Sequence, residues 1–146
     1  MLRQIAFGGG VSLVNIAIHA FTMTTLVVVS QFAYTKAVSW FHASMLFVLV
    51  MVPTVLFLMV VHFFEVSIWA LAYLVVDAAP VGADRLDFAF VNYTTLGYGD
   101  VVPVANWRLL GPITAMNGML LFGWSTAAIF EVLRRSADKV RLYRNY

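Results

Sequence analysis

The sequence predicts an all-α membrane protein with three transmembrane helices. Apolar residues make up 62% of the 146 residues and charged residues only 11%, a composition too apolar for an ordinary soluble domain. Three apolar segments, residues 5–29, 45–76 and 109–133, each exceed the roughly 20 residues that a helix needs to cross a bilayer. The chain has no cysteine, which excludes disulfides and thiolate chemistry.

The segment between the second and third apolar runs is too short and too polar to be a fourth span. Asp84 precedes an apolar run that ends at Thr94, with Asp87 three residues after Asp84, a pattern typical of a helix N-terminus. A helix of about ten residues rises about 15 Å, which is half of a hydrocarbon core of about 30 Å. Irregular backbone at that depth is tolerated only where protein buries it or where it lines a water-filled cavity. We therefore predict a re-entrant pore helix followed by a pore loop.

The stretch TTLGYGD that follows has the features of a cation-coordinating loop. A cation inside a bilayer needs oxygen ligands in place of its hydration shell, and backbone carbonyls supply them without burying a full charge. Gly97 and Gly99 accept positive φ at alternate positions, which lets consecutive carbonyls face one axis. We expect the Thr95 hydroxyl at the inner end, the Tyr98 ring turned outward into surrounding protein, and Asp100 at the outer mouth.

This stretch resembles the selectivity filter TTVGYGD of potassium channels, with Leu96 in place of valine. The resemblance is to the small bacterial members that have two transmembrane helices around a pore loop. It implies a K⁺-selective channel, with K⁺ ions and no organic cofactor, whose ions bind at the carbonyls of Thr95, Leu96, Gly97 and Tyr98. It also implies a homotetramer, in which three identical subunits join each chain, because one chain carries one such loop.

The same resemblance divides the chain into three parts. Residues 1–43 form an extra transmembrane helix and a short cytoplasmic loop, residues 44–133 form the pore domain, and residues 134–146 form a basic cytoplasmic tail. Asp87 either shares a proton or a water with Asp100 or completes the N-terminus of the pore helix. The residues expected to support the filter are Thr94, Gly99, Asp100 and Asp87.

The third span carries small residues that allow two interpretations. Gly118 and Gly123 either permit close helix packing or act as a hinge of the inner pore. Helical spacing places Leu120, Gly123, Ala127 and Glu131 on one face, which we expect to line the pore. In a tetramer, four Glu131 side chains then surround the cytoplasmic mouth of the pore. Alternatively, each Glu131 pairs with a basic residue one turn away. The inner-pore and gate residues are Gly118, Leu120, Gly123, Ala127 and Glu131, and the candidate basic partners are Arg134 and Arg135.

His62 and Glu65 lie one turn apart near the middle of the second span, where ionisable groups are functional candidates by default. They form a pH-sensing pair, part of a metal site, or a structural pair with hydrogen bonds to each other or to other polar side chains. The candidate partners are Asn15, His19 and Asn117. If His19 and His42 also bind the metal together with His62 and Glu65, the chain is a membrane metalloenzyme. A weakly selective monovalent cation channel and a non-conducting accessory subunit are also compatible with the sequence.

The distribution of charge predicts the orientation of the chain. Basic residues crowd residues 134–146, whereas acidic residues gather near the filter, so the positive-inside rule puts the C terminus in the cytoplasm and the N terminus outside. We expect a prokaryotic inner membrane, membrane lipids as partners with anionic lipid at the basic tail, no nucleic acid and no enzymatic reaction. Aromatic residues predicted as interfacial anchors are Trp40, Tyr73, Trp107 and Tyr143.

Overall fold

The computed structural model describes residues 1–35 and 40–144, which form four α-helices and no strand. The helices are α1 (Leu2–Thr35), α2 (Trp40–Val75), α3 (Arg85–Tyr93) and α4 (Leu110–Arg144). A short 3-10 helix, Ala105–Trp107, precedes α4. Three stretches are long and apolar enough to cross a membrane, namely Leu2–Ser30, Val48–Val75 and Ala105–Arg135. The all-α class and the three candidate spans are confirmed.

The short helix α3 begins where the sequence predicts it. The side chain of Asp84 accepts hydrogen bonds from the backbone N–H groups of Leu86 and Asp87, both at 2.9 Å. These bonds satisfy two of the donors that a helix N-terminus otherwise leaves without partners. The helix ends after nine residues at Tyr93, immediately before the TTLGYGD stretch.

Helix α4 is longer than the third apolar run predicts. It continues past Leu133 to Arg144, so most of the predicted basic tail is helical. Glu131 contacts Arg134 and Arg135, three and four residues further on, and such pairs support a helix. No glycine or proline follows Gly123 to interrupt the helix.

The chain divides into two compact units that share the long helices. The first contains Met1–His19 and His62–Phe122, and the second contains the described residues within Ala20–Val61 and Gly123–Tyr146. The second unit has a small core in which Leu26 and Val132 pack with partly buried apolar residues. The core of the first unit lies around buried aromatic side chains, which are Trp69, Tyr73, Phe88, Tyr93 and Trp107.

Two of the predicted interfacial anchors are wrong, because their side chains are buried. Tyr73 is fully buried, and its hydroxyl lies 2.7 Å from the Thr114 hydroxyl. Trp107 packs against Phe7, with ring centroids 5.6 Å apart, and lies 4.3 Å from the guanidinium carbon of Arg3. An aromatic side chain with one polar group also suits a buried position with a hydrogen-bond partner. The side chains of the other two, Trp40 and Tyr143, lie outside the described residues.

Gly118 brings α4 into direct contact with the end of α3. A Cβ atom on Gly118 would overlap the carbonyl oxygen of Tyr93 and lie 2.9 Å from its carbonyl carbon. These are backbone atoms, which cannot turn away as a flexible side chain can. The packing interpretation of Gly118 is confirmed. No atom of the described residues lies within 4 Å of such a Cβ on Gly123, and the hinge role of Gly123 stays a prediction.

Replacement of Gly118 by alanine should therefore destabilise the fold. We expect the free energy of unfolding to fall by about 1 to 3 kcal/mol or more, since overpacking usually costs this much. The reason is that α3 and α4 must separate to admit the methyl group. The measurement is the denaturation midpoint of the purified protein in detergent. Gly10→Ala is the matched control, since that helical glycine has open space around it and alanine favours a helix. Equal midpoints for Gly118→Ala and the parent protein would contradict this packing.

Candidate functional site

The TTLGYGD stretch has positive φ at three alternate residues. The φ angles are 60° at Thr95, 54° at Gly97 and 83° at Gly99. The sequence predicts the two glycine values, and both are confirmed. The value at Thr95 was not predicted, because a non-glycine residue rarely adopts the left-handed region.

The backbone donors at the start of this stretch bond back to the end of α3. The N–H groups of Leu96 and Gly97 both donate to the carbonyl of Val91, at 3.0 and 3.4 Å, and the N–H of Thr95 donates to Asn92 at 3.1 Å. In contrast, no donor from the described part of the chain reaches the carbonyls of residues 95–98. Four consecutive carbonyls of exposed residues are therefore open to solvent, ligands or partner chains.

The side chains around the stretch are open at its C-terminal end. Tyr98, predicted to point into surrounding protein, is 73% exposed in the single chain. Tyr98, Asp87 and Asp100 line one cavity of about 70 Å³. Asp100 accepts a hydrogen bond from the N–H of Val101 at 2.9 Å, and within the described chain no hydrogen bond joins it to Asp87. The shared proton or water between Asp87 and Asp100 stays a prediction. Thr94, the first residue of the stretch, donates its hydroxyl to the Phe90 carbonyl at 2.7 Å.

A second group of polar residues lies inside the helix packing, around the fully buried carboxylate of Glu65. His19 Nδ1 lies 2.8 Å from Glu65 Oε1, and His62 Nδ1 lies 2.8 Å from Oε2. The Tyr93 hydroxyl donates to Oε2 at 2.6 Å and is 3.2 Å from His62 Nδ1. Burial and the neighbouring Glu65 raise the pKa of Tyr93, so its hydroxyl keeps the proton that it donates. We call His19, His62, Glu65 and Tyr93 the Glu65 cluster.

Asparagine side chains extend the Glu65 cluster to α4. Asn15 Nδ2 donates to the Glu65 backbone carbonyl and to Asn117 Oδ1, both at 3.2 Å. Trp69 Nε1 donates to the same Asn117 oxygen at 3.0 Å. Within the described residues, Asn15 Oδ1 and Asn117 Nδ2 are buried and accept or donate no further hydrogen bond. Segments of all four helices are thus joined through polar side chains.

The predicted hydrogen bonding of the His62–Glu65 pair is confirmed, and so is the contact with His19. Of the atoms of Glu65, Asn15 hydrogen-bonds only to the backbone carbonyl. Asn117 is linked to Glu65 through its hydrogen bond with Asn15. The sequence reasoning missed Tyr93, whose hydroxyl completes the ring of donors around Glu65. The side chain of His42 lies outside the described residues. The pH-sensing role of His62 and Glu65 stays a prediction.

The inner part of α4 carries the residues predicted to line the pore. Leu120, Gly123 and Ala127 are exposed in the single chain, and their place along the pore stays a prediction. Glu131 Oε2 accepts from Arg134 Nε at 3.0 Å, and its Oε1 accepts from Arg135 Nε at 2.6 Å. The predicted pairing of Glu131 is confirmed, and the formal charge of these three side chains sums to +1.

Comparison with known proteins gives one family. Residues 56–135, more than half of the chain, match the protein family described as ion channel. The match covers the C-terminal part of α2, all of α3, the TTLGYGD stretch and the larger part of α4, and leaves all of α1 outside. No curated protein and no solved structure matches the chain. With its three apolar helices, the protein is an integral membrane protein, and the chain belongs to the ion channel family.

Proposed function

We propose that the protein is a K⁺-selective channel that conducts K⁺ passively through the central pore of a homotetramer. The observation that carries the proposal is the backbone of residues 95–98. Its four carbonyls have no hydrogen-bond donor in the described chain, and positive φ alternates through the same stretch. Carbonyl oxygens in this number replace the hydration shell of an alkali cation. The proposed K⁺ ligands are the carbonyls of Thr95, Leu96, Gly97 and Tyr98, with the Thr95 hydroxyl.

The tetramer follows from the need to surround the ion. One chain presents its carbonyls from one side only, and four chains around an axis supply a ring of oxygens at each level. The exposed ring of Tyr98 supports this assembly, because an aromatic side chain at the filter needs protein around it to hold the pore diameter. In the assembled channel Thr94, Gly99, Asp87 and Asp100 support the filter.

The proposed orientation of the chain in the membrane rests on the distribution of its basic residues. Arg134, Arg135 and Arg141 lie in the last part of α4, and we place this end in the cytoplasm, with the filter and the N terminus outside. The same basic end attracts anionic lipid headgroups of a prokaryotic inner membrane. Flux measurements separate this proposal from a weakly selective cation channel and from a non-conducting accessory subunit.

The filter is tested by replacing Gly99 with alanine. The φ of 83° is unfavourable for any residue with a Cβ, so the carbonyls on either side should turn from the axis. We expect K⁺ flux into liposomes to fall at least about tenfold, or K⁺ over Na⁺ selectivity to be lost, while the oligomer still assembles. Flux is measured with K⁺ and Na⁺ gradients in separate experiments, with barium as the blocker.

Gly10→Ala is the control for the Gly99 variant, because it makes the same chemical change at a helical site with open space. It should conduct like the parent. Undiminished, K⁺-selective flux through Gly99→Ala would contradict the carbonyl filter. Equal K⁺ and Na⁺ flux through the parent would favour the weakly selective channel, and no flux at all would favour the accessory subunit.

The proposed inner pore is tested at Glu131. If four Glu131 side chains surround the cytoplasmic mouth, loss of their charge leaves Arg134 and Arg135 to repel K⁺. Outward single-channel current at low salt should fall for Glu131→Gln and fall further for Glu131→Lys. Glu131→Asp, which keeps the charge, should conduct nearly as the parent does. If the glutamine and lysine variants conduct like the parent at low ionic strength, Glu131 does not face the permeation path.

A further inference from the structure

The Glu65 cluster has the composition and spacing of a metal site. Two imidazole rings and one carboxylate bring ligand atoms to within 4.8 Å of one another. Two histidines and one glutamate are a common ligand set for zinc. We propose that His19, His62 and Glu65 bind a transition-metal cation of the Zn²⁺ class, with the Tyr93 hydroxyl beside it.

The distances within the cluster are close to those that such an ion requires. Ligand atoms about 2.1 Å from a tetrahedral zinc ion lie roughly 3.4 Å from one another. The contacts of Glu65 with His19 and His62 are both 2.8 Å, and the hydroxyl of Tyr93 lies 3.2 Å from His62 Nδ1. The two contacts of Glu65 need to lengthen by roughly 0.6 Å to reach this separation, and all three ligand atoms already lie within 4.8 Å of one another. The side chains of His19 and Glu65 are fully buried and that of His62 is 13% exposed, so bulk water is largely excluded.

The charge of the cluster favours a cation. Among the described side chains, no lysine or arginine forms an ion pair with Glu65. A buried carboxylate is costly unless donors or a counter-ion replace its hydration, and a divalent cation bound by the carboxylate and both rings supplies a counter-charge directly. For each ring to act as a ligand through Nδ1, its proton must lie on Nε2, and any additional ring proton is released when the metal binds.

The position of the site links it to the proposed pore. His19 belongs to α1 and lies outside residues 56–135, so a helix beyond the family match supplies one ligand. Tyr93 is the last residue of α3 and precedes Thr95 by two positions. A bound metal would therefore restrain α1, α2 and the end of the pore helix together.

Metal content tests the proposal independently of conduction. The protein is purified without a polyhistidine tag, in detergent with KCl, treated with a chelator, loaded with Zn²⁺ and desalted. We expect about one zinc per chain, and visible absorption typical of tetrahedral Co²⁺ when Co²⁺ replaces Zn²⁺. His19→Gln and Glu65→Gln should each weaken Zn²⁺ binding by about 100-fold or more. Mutation of residues that only hydrogen-bond to metal ligands already lowers metal affinity by roughly 10- to 100-fold. His42→Gln, the remaining histidine of the chain, is the matched control and should bind as the parent does.

A cysteine at position 62 separates a metal site from a hydrogen-bonded cluster. The chain has no cysteine of its own, so a thiolate-to-Co²⁺ charge-transfer band in the near ultraviolet reports position 62 alone. We expect His62→Cys to keep Co²⁺ and to show this band, even if the glutamine variants fail to fold. Less than about one-tenth of a zinc per parent chain, equal binding by folded glutamine variants, or Co²⁺ bound to His62→Cys without the band would each overturn the proposal.

Discussion

The buried carboxylate of Glu65 is the interaction on which the surrounding helix arrangement depends. A carboxylate removed from water costs several kcal/mol unless donors or a counter-ion replace its hydration. Here one donor comes from α2 itself, through His62, and the others come from His19 of α1 and Tyr93 of α3. Because hydrogen bonds must be short to offset desolvation, the carboxylate fixes the separation of these helices within narrow limits. Nonpolar packing between membrane helices has no such directional requirement.

The end of α3 is fixed from two directions by a single residue, Tyr93. The hydroxyl of Tyr93 bonds to Glu65, and its backbone carbonyl lies against Gly118 of α4. A larger residue at position 118 would move the backbone, and the loss of Glu65 would remove the acceptor of the Tyr93 hydroxyl. Since the TTLGYGD stretch begins at the next residue, the place of the proposed filter depends on both contacts. The polar cluster and the proposed filter are therefore parts of one supporting structure.

The sequence predicts the spans and the short helix α3 well because their signals are local. Apolar length marks the spans, and Asp84 marks the start of α3 through bonds to residues two and three positions away. The partners of Glu65 were harder to predict, because Tyr93 is 28 residues distant and no helical spacing connects the two. His19 could be identified since ionisable residues are rare in apolar spans. Tyr73 was misassigned because an aromatic ring with a hydroxyl suits both an interface and a buried hydrogen bond.

Thr95 is an exception, in the proposed filter, to the rule that positive φ angles are adopted by glycine. Its φ of 60° places a residue with a branched side chain in the left-handed region, at a cost of roughly 1 to 2 kcal/mol. The bonds from the N–H groups of Leu96 and Gly97 to Val91 hold the turn in place and offset part of this cost. A glycine at position 95 would remove the strain, but it would also remove the hydroxyl that the proposed filter uses at its inner end. The strained threonine is thus consistent with a site where an additional oxygen ligand matters more than an unstrained backbone.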